Sequence, residues 1–201
     1  MSRTIPAVPY HHGNVRSKVL TAAVQAITER GATAVSFRDL ARRVGVTHGA
    51  VAHHFGDKTG LLTAVATGGF RLLTGELALA WESTGRFEKV GQAYVRFATR
   101  WPAHFEVMFR PELHRAEDPD LVEAKAAAWQ VLFESAGQVL DAAGGDQLRA
   151  AMAAWAYVHG IAVLWRDGNL PPTVGDDPVK LMEEIGPYLF QASDYAKRGR
   201  F

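Results

Sequence analysis

The chain has 201 residues, no cysteine, 48% hydrophobic residues and 21% charged residues. This length fits one domain or two small ones, the apolar fraction argues against extended disorder, and the lack of cysteine excludes a disulfide framework, a thiolate zinc site and a cysteine nucleophile. No run of about 18 apolar residues is evident, and residues 1–10 contain no signal-peptide core. The sequence therefore predicts a cytoplasmic protein with no membrane-spanning helix and no membrane partner.

Charge is distributed unevenly along the chain. The net charge is +1, but the first sixty residues carry eight Lys or Arg against three Asp or Glu, and the remainder is acidic. A basic N-terminal unit on a mildly acidic body indicates a polyanion-binding head joined to a second function. An uneven solvated surface would give the same balance, so charge alone leaves both interpretations open.

Helical spacing recurs along the sequence and strand signals are scarce, which predicts an all-α fold. Asn14 is placed to cap a first helix, and Gly31 follows that helix as its C-terminal stop. The apolar face between them has helical spacing. It consists of Val15, Val19, Ala22, Ala23, Ala26 and Ile27.

Two short helices separated by a tight turn follow. Ser36 opens the first of them, with Asp39 at the third position of a capping box. Gly45 ends this helix, and Thr47 caps the next one almost at once. Helix, glycine-containing turn and helix within residues 36–55 predict a helix-turn-helix.

The second short helix has an outward face suited to close approach. Val51 and Phe55, four residues apart, are expected to point inward. Small side chains on the opposite face would let the helix enter a major groove, where a histidine can donate to or accept from a base edge. The outward and flanking residues are His48, Gly49, Ala50, Ala52 and His53.

The rest of the chain is predicted to form longer helices. Asp57 is placed to cap a fourth helix that runs toward Trp81, and the pair Gly68-Gly69 marks a bend or a close packing point within it. A short apolar segment lies at 102–109. Four further helices are expected at about 86–100, 118–143, 146–166 and 177–197.

Several short motifs share a fixed order and spacing in the head. They are residues 10–16 (YHHGNVR), Ala22-Ala23, Gly31-Ala32, residues 36–47 (SFRDLARRVGVT), residues 54–58 (HFGDK) and Leu61-Leu62. This pattern resembles the DNA-binding head of TetR-type transcriptional regulators. In the C-terminal half, residues 154–160 (AWAYVHG) resemble the Trp…His-Gly signature of one ligand-binding subgroup, and residues 102–109 fit the same subgroup.

The resemblance implies an all-helical homodimer with two parts. Residues 1–60 would form the helix-turn-helix DNA-binding domain, and residues 61–201 the domain for ligand binding and dimerisation. Such a dimer binds a palindromic double-stranded operator. A small molecule bound among the C-terminal helices would change the separation of the two heads and release the DNA.

By position, the resemblance also implies a set of DNA-binding residues. They are Ser36, Arg38, Thr47, His48, Gly49, Ala50, His53, His54 and Lys58. Arg38 is the candidate for a paired contact with guanine, and Lys58 matches the family's phosphate-contacting lysine. Simpler explanations stay open, since Arg38 could be a solvated surface residue and Gly49 and Ala50 could serve helix packing. Arg42 and Arg43 are expected to be solvated or to act by long-range attraction, rather than to make specific contacts.

One position departs from the family pattern. Ala52 stands where the family usually carries a tyrosine whose hydroxyl reaches a phosphate. The sequence therefore lacks that contact. His53 or the arm at residues 10–12 could replace it, or the affinity could be lower, because phosphate contacts supply most of the affinity.

Aromatic and methionine residues concentrate in the C-terminal body. The predicted ligand-pocket residues are Tyr94, Trp101, His104, Phe105, Met108, Phe109, Trp129, Phe133, Trp155 and His159. Pockets are typically apolar clefts with a few polar groups, so these residues predict an apolar or aromatic ligand. Any one of them could instead be a core residue.

The last two long helices are predicted to form the dimer surface. The residues assigned to it are Leu148, Met152, Trp155, Met182, Ile185 and Leu189. In a single domain all of these could be core. Resemblance to TetR-type dimers, which pair their last two long helices in a four-helix bundle, favours the dimer.

The sequence predicts a ligand-responsive repressor and no enzyme. It contains no nucleophile–base pairing, phosphate-binding glycine loop or metalloenzyme helix motif. The adjacent histidine pairs lack a third ligand, so no metal site and no cofactor is predicted. Two alternatives stay open: a helical small-molecule-binding protein or enzyme with an incidental basic head, and an activator, which differs from a repressor in operator position.

Overall fold

The structure, a computed structural model, describes residues 12–140 and 146–190. These residues form helices and short turns without a strand, which confirms the predicted all-α fold. The helices are α1 (His12–Arg30), α2 (Phe37–Val44), α3 (His48–Phe55), α4 (Lys58–Thr84), α5 (Phe87–Arg100), α6 (Pro102–Met108), α7 (Pro119–Leu140), α8 (Gln147–Arg166) and α9 (Pro178–Phe190). The predicted ends of α7 and α9, at residues 143 and 197, lie outside the described residues.

Side-chain caps fix the starts of α2, α3 and α4, as the sequence predicts. The bonds run from Asp39 N to Ser36 Oγ (3.3 Å), from Ala50 N to Thr47 Oγ1 (3.1 Å) and from Gly60 N to Asp57 Oδ1 (2.8 Å). Each cap satisfies a backbone N–H that has no partner within its helix. Gly45 ends α2 in the left-handed region at φ 72°, where glycine carries no Cβ penalty.

The start of α1 corrects one prediction. Asn14 was expected to cap this helix, but α1 begins at His12, so Asn14 lies inside the first turn. The predicted apolar face is confirmed, because all six of its residues are at most 7% exposed. This face packs against α2 and α3, where Leu40 and Val51 are fully buried. The head is therefore a compact unit with its own apolar contacts.

α4 joins the head to the body. Its first turn follows α3, and the rest of the helix packs against α5, α6 and α7. The predicted domain boundary at residue 60 falls inside this continuous helix, and the division into 1–60 and 61–201 stays a prediction. The glycine pair has the predicted packing role at one member: a Cβ on Gly69 would lie 2.5 Å from Sδ of Met108 and 3.0 Å from Cβ of His104. Nothing lies within 4 Å of a Cβ on Gly68.

This difference gives opposite predictions for two neighbouring substitutions. Gly68→Ala should stabilise the protein by about 1 kcal/mol, because alanine favours helix more than glycine does. Gly69→Ala gains the same propensity but forces α6 away from α4, and overpacking of this kind costs about 1–3 kcal/mol. Urea unfolding of the two variants tests this, and shifts of the same sign would contradict the packing at Gly69.

α8 bears on the prediction that the chain contains no membrane-spanning helix. Over its 20 residues it is long and apolar enough, by composition, to cross a membrane, with a mean hydropathy of 1.2 in an 18-residue window. Alanines raise this mean without forming an unbroken run of large apolar side chains, so inspection for such a run misses it. Only 28% of that window is buried within the chain. A largely apolar helix is thus left with an uncovered face.

Candidate nucleic-acid interface and aromatic cluster

α3 has the orientation that the sequence predicts. Val51 and Phe55 are 0% and 7% exposed, and they anchor the helix to the head. The opposite side consists of exposed or half-buried residues that we call the reading face: His48, Gly49, Ala50 and His53. The ring of His48 lies 5.9 Å from that of Phe37 in α2, which holds the start of α3 against its neighbour. The predicted base-reading residues therefore share one accessible surface.

The remaining predicted DNA-binding residues differ in how exposed they are. Ser36, Arg38 and Thr47 are exposed at the starts of α2 and α3. His54 is half-buried, with its ring 5.6 Å from that of His53. Lys58 is half-buried, and its Nζ donates to the carbonyl oxygen of Thr33. A phosphate contact by Lys58 would therefore replace a bond within the head.

An ionic network on the surface of the head involves Arg42 and Arg43. Nη2 of Arg42 and Nε of Arg43 lie 2.7 Å and 2.9 Å from the Asp39 carboxylate, and Arg30 binds the same group. Arg43 also pairs with Glu29 at 2.7 Å. Hydrogen bonds from Arg42, Arg30 and Arg43 hold the pKa of Asp39 well below its usual range. The network ties the end of α1 to α2.

The predicted pocket residues divide into two groups. Seven of them form what we call the aromatic cluster: Tyr94, Phe105, Phe109, Trp129, Phe133, Trp155 and His159. Neighbouring ring centroids in this cluster are 4.6–6.4 Å apart. The other three, Trp101, His104 and Met108, lie toward α4, where His104 and Met108 pack on Gly69. The ten residues predicted to line one pocket therefore lie in two groups, the aromatic cluster and a group beside α4.

Three polar groups meet inside the aromatic cluster. The Tyr94 hydroxyl lies 2.8 Å from Nδ1 of His159, and Nε1 of Trp155 donates to the same hydroxyl at 3.3 Å. Burial raises the pKa of Tyr94. Burial and the nearby Arg166 charge lower the pKa of His159. The hydroxyl can therefore donate to a neutral imidazole, and the polar pair carries no charge near neutral pH.

Two clefts in the described residues lie away from the aromatic cluster. One of about 480 Å³ lies between α1 and α2 and is lined by residues such as Lys18 and Arg43. Another, of about 420 Å³, lies between the head and the body, lined by residues that include Phe55, Thr63 and Arg115. None of the predicted pocket residues lines either cleft. Neither of these two clefts opens into the aromatic cluster.

The structure corrects two of the residues assigned to the dimer surface. Met182 is 6% exposed and packs on Gly91, so it belongs to the core of one chain. Trp155 is directed into the aromatic cluster. Leu148 and Met152 are 54% and 45% exposed, and Ile185 is half-buried. The side chain of Leu189 lies outside the described residues.

Sequence reasoning noted Gly160 and Leu164 on the uncovered face of α8 but missed Ala153 and Ala156. Ala153, Ala156, Gly160 and Leu164 are spaced at three or four positions, so they lie along one stripe of the helix. The first two and Leu164 are exposed, and nothing lies within 4 Å of a Cβ on Gly160. The signal was present as small residues at helical spacing, which permit close approach of another helix.

Three histidines, two buried and one half-buried, predict a pH-dependent stability. Burial lowers the pKa of His104, His114 and His159. The unfolded chain takes up protons near its ordinary pKa of about 6.5, whereas the folded chain resists them, so folding stability is lost as the pH falls below about 6.5. Asp39, whose pKa is lowered, contributes stability that is lost only in a more acidic range, below about pH 4.

We therefore expect the Tm to fall steadily between about pH 7 and about pH 5. Circular dichroism melts across this range measure the slope of Tm against pH. His159→Gln should make that slope shallower, whatever its effect on the Tm itself. A Tm that stays flat over this range would contradict the buried, neutral state of these side chains.

Comparison with known proteins gives a consistent result. Residues 19–65 match the family model described as bacterial regulatory proteins, tetR family, and residues 87–185 match the one described as tetracyclin repressor-like, C-terminal domain. Over 58 residues the chain is 43% identical to the HTH-type transcriptional repressor Rv3405c of Mycobacterium tuberculosis, which is 29% of this chain and 31% of that protein. The match thus spans about a third of the curated relative.

Solved structures extend the similarity over the whole fold. A protein of unknown function from Rhodococcus sp. RHA1 is 33% identical, with a TM-score of 0.74, and the match covers 96% of this chain and 98% of that one. The TetR family transcriptional regulator PfmR from Thermus thermophilus is 19% identical, with a TM-score of 0.62 and coverage of 82% and 92%. At that identity the second match shows the fold alone.

Proposed function

The chain belongs to the TetR family of bacterial regulatory proteins, and on this premise we propose that it represses transcription as a homodimer bound to a palindromic operator. The observation that carries the proposal is the reading face of α3. Thr47 caps this helix, Val51 and Phe55 anchor it, and small side chains with two exposed histidines lie on its open side. A helix presented in this way fits the major groove.

The reading face and its surroundings take different roles in this proposal. His48, Gly49, Ala50 and His53 approach the base edges, and Arg38 makes a paired contact with guanine. The residues that meet the DNA backbone are Ser36, Thr47, His54 and Lys58. Their contacts set the position of the head on the duplex and carry no sequence information themselves.

The uncovered face of α8 supports the homodimer. Met152 and Leu164 are exposed on it, and Ala156 and Gly160 leave room for a helix to approach. Pairing α8 and α9 with those of a second copy would bury this face in a four-helix bundle. Two reading faces would then reach successive major grooves, about 34–36 Å apart.

The aromatic cluster supports an effector site. It offers apolar rings with one uncharged polar pair, Tyr94 and His159, at its centre. We assign to it a small apolar or aromatic effector that separates the packed rings, moves the heads and releases the operator. The likeness of residues 154–160 to the Trp…His-Gly subgroup stays a prediction. Because its target is genomic DNA, the protein would work in the cytoplasm.

Selection of bound genomic fragments tests this function. Sheared DNA is passed over the purified protein, and retained fragments are sequenced and confirmed by gel shift. The proposal expects a short palindromic motif that overlaps promoters, and a reporter gene under that motif that is less active when the protein is present. Retention without sequence preference, or a reporter that is activated, would contradict repression at an operator.

A further inference from the structure

Two polar contacts link the head to a single segment of the body, residues 102–118, which we call the junction segment. It contains α6 and the loop that leads to α7. α6 contacts α1, α4 and the 3-10 turn Ala32–Ala34. The junction segment therefore contacts head residues that precede the helix-turn-helix in the chain and head residues that follow it.

The first contact satisfies a buried backbone group. Ala32 is 0% exposed and follows the end of α1, so its N–H has no acceptor within the helix. Oε1 of Glu106 in α6 accepts from this N–H at 3.1 Å. A buried donor that loses its acceptor is costly, so this bond fixes the end of α1 to α6.

The second contact involves the head residue that caps α4, beyond the helix-turn-helix in the chain. Asp57 uses Oδ1 to cap α4 and Oδ2 to accept from Nη2 of Arg115 at 2.8 Å. The backbone N–H of Arg115 donates to the buried hydroxyl of Thr63 at 3.0 Å. Space here is tight, because a Cβ on Gly60 would collide with the carbonyl oxygen of Phe55 and lie 2.8 Å from Nη1 of Arg115. Arg115 thus sits beside the end of α3.

The neighbours of Glu106 reach the other functional region. Phe105 and Phe109 of the junction segment place their rings 5.6 Å and 4.6 Å from that of His159 in the aromatic cluster. One short stretch of chain therefore contacts the aromatic cluster with its rings and the head with Glu106 and Arg115. We propose that Glu106 and Arg115 are positioning residues that hold the DNA-binding head in one orientation on the body.

The proposal rests on the proposed function only for its consequence in DNA binding. The orientation itself can be measured without DNA. The sequence contains no cysteine, so nitroxide labels can be placed at Gln25→Cys in α1 and Lys125→Cys in α7, both exposed positions. Labelled chains are diluted with excess unlabelled chains, so that pulsed electron resonance records distances within one chain.

The expected result is a narrow head–body distance distribution that broadens or shifts in Glu106→Ala and in Arg115→Ala. Glu106→Gln should restore the narrow distribution, because its amide oxygen can still accept from Ala32 N. Glu112→Ala is the matched control: it removes a carboxylate of the same segment that pairs with Arg110 and makes no described bond to the head. Operator affinity should fall about fivefold in Glu106→Ala, as for one lost hydrogen bond.

Unchanged distributions in both alanine variants would overturn the proposal, as would broadening that Glu106→Gln fails to reverse or that Glu112→Ala reproduces. If Glu106→Ala does not fold, the distance distribution of Arg115→Ala alone tests the proposal. This variant is expected to fold, because the side chains of Arg115 and Asp57 are 49% and 61% exposed. A parent protein that binds no operator would refute the proposed function, whereas the distance measurement would still decide the role of these two residues.

Discussion

Replacing Gly160 by arginine is expected to yield a folded monomer that binds its operator about 10²–10⁴-fold more weakly. Gly160 lies in the middle of α8, where glycine costs about 1 kcal/mol relative to good helix formers. Nothing in the described residues of its own chain comes within 4 Å of a Cβ there. Arginine should therefore strengthen the helix while it blocks close approach of a second copy.

Gly75→Arg provides the matched control. Gly75 is an exposed glycine within α4 that also has nothing within 4 Å of an added Cβ, so the same side chain is added to a different surface. We expect this variant to stay dimeric and to keep its operator affinity. Light scattering and fluorescence anisotropy measure the two properties. A dimeric Gly160→Arg variant with unchanged affinity would contradict the α8 interface.

Arg38→Ala and Lys58→Ala are expected to weaken operator binding in two distinguishable ways. Arg38→Ala should cost about 1–3 kcal/mol and relax the preference at one base pair, because a paired contact with guanine is lost. Lys58→Ala should weaken binding to all sequences alike, because a phosphate contact is lost. The slope of log affinity against log salt concentration should become shallower by about one.

Arg42→Ala serves as the control for charge removal from α2. Its side chain is 81% exposed and pairs with Asp39 inside the head, so only a small loss of long-range attraction is expected. Binding titrations on single-base variants of the operator, repeated at several salt concentrations, separate the cases. If Lys58→Ala alters base preference and Arg38→Ala alters the salt slope, the two assignments are exchanged.

Local signals made much of the head predictable. Ser36, Thr47 and Asp57 cap the helices that they were expected to cap, because a cap depends on a side chain and a backbone N–H three residues apart. The buried stripes were predicted for the same reason, since helical spacing fixes them. Asn14 is the exception: the helix continues past a good cap residue and starts at His12.

Features that depend on distant parts of the chain were not predictable. Glu106 and Ala32 are 74 positions apart, and Arg115 and Asp57 are 58 apart, so no local pattern pairs them. Spacing also cannot tell which apolar face of a helix meets its own chain and which meets a partner. That ambiguity explains why Met182 was assigned to the dimer surface although it packs inside the body.

Directed cleavage of the selected operator tests the central claim, that two copies of the reading face enter the major groove. An iron chelate is attached to His53→Cys in α3 and, as a control, to Glu82→Cys, about 36 Å along α4 from its start. We expect two cleavage clusters from the α3 label, symmetric about the operator dyad and about 34–36 Å apart, and none from the α4 label. Uniform cleavage, or the same pattern from both labels, would contradict it.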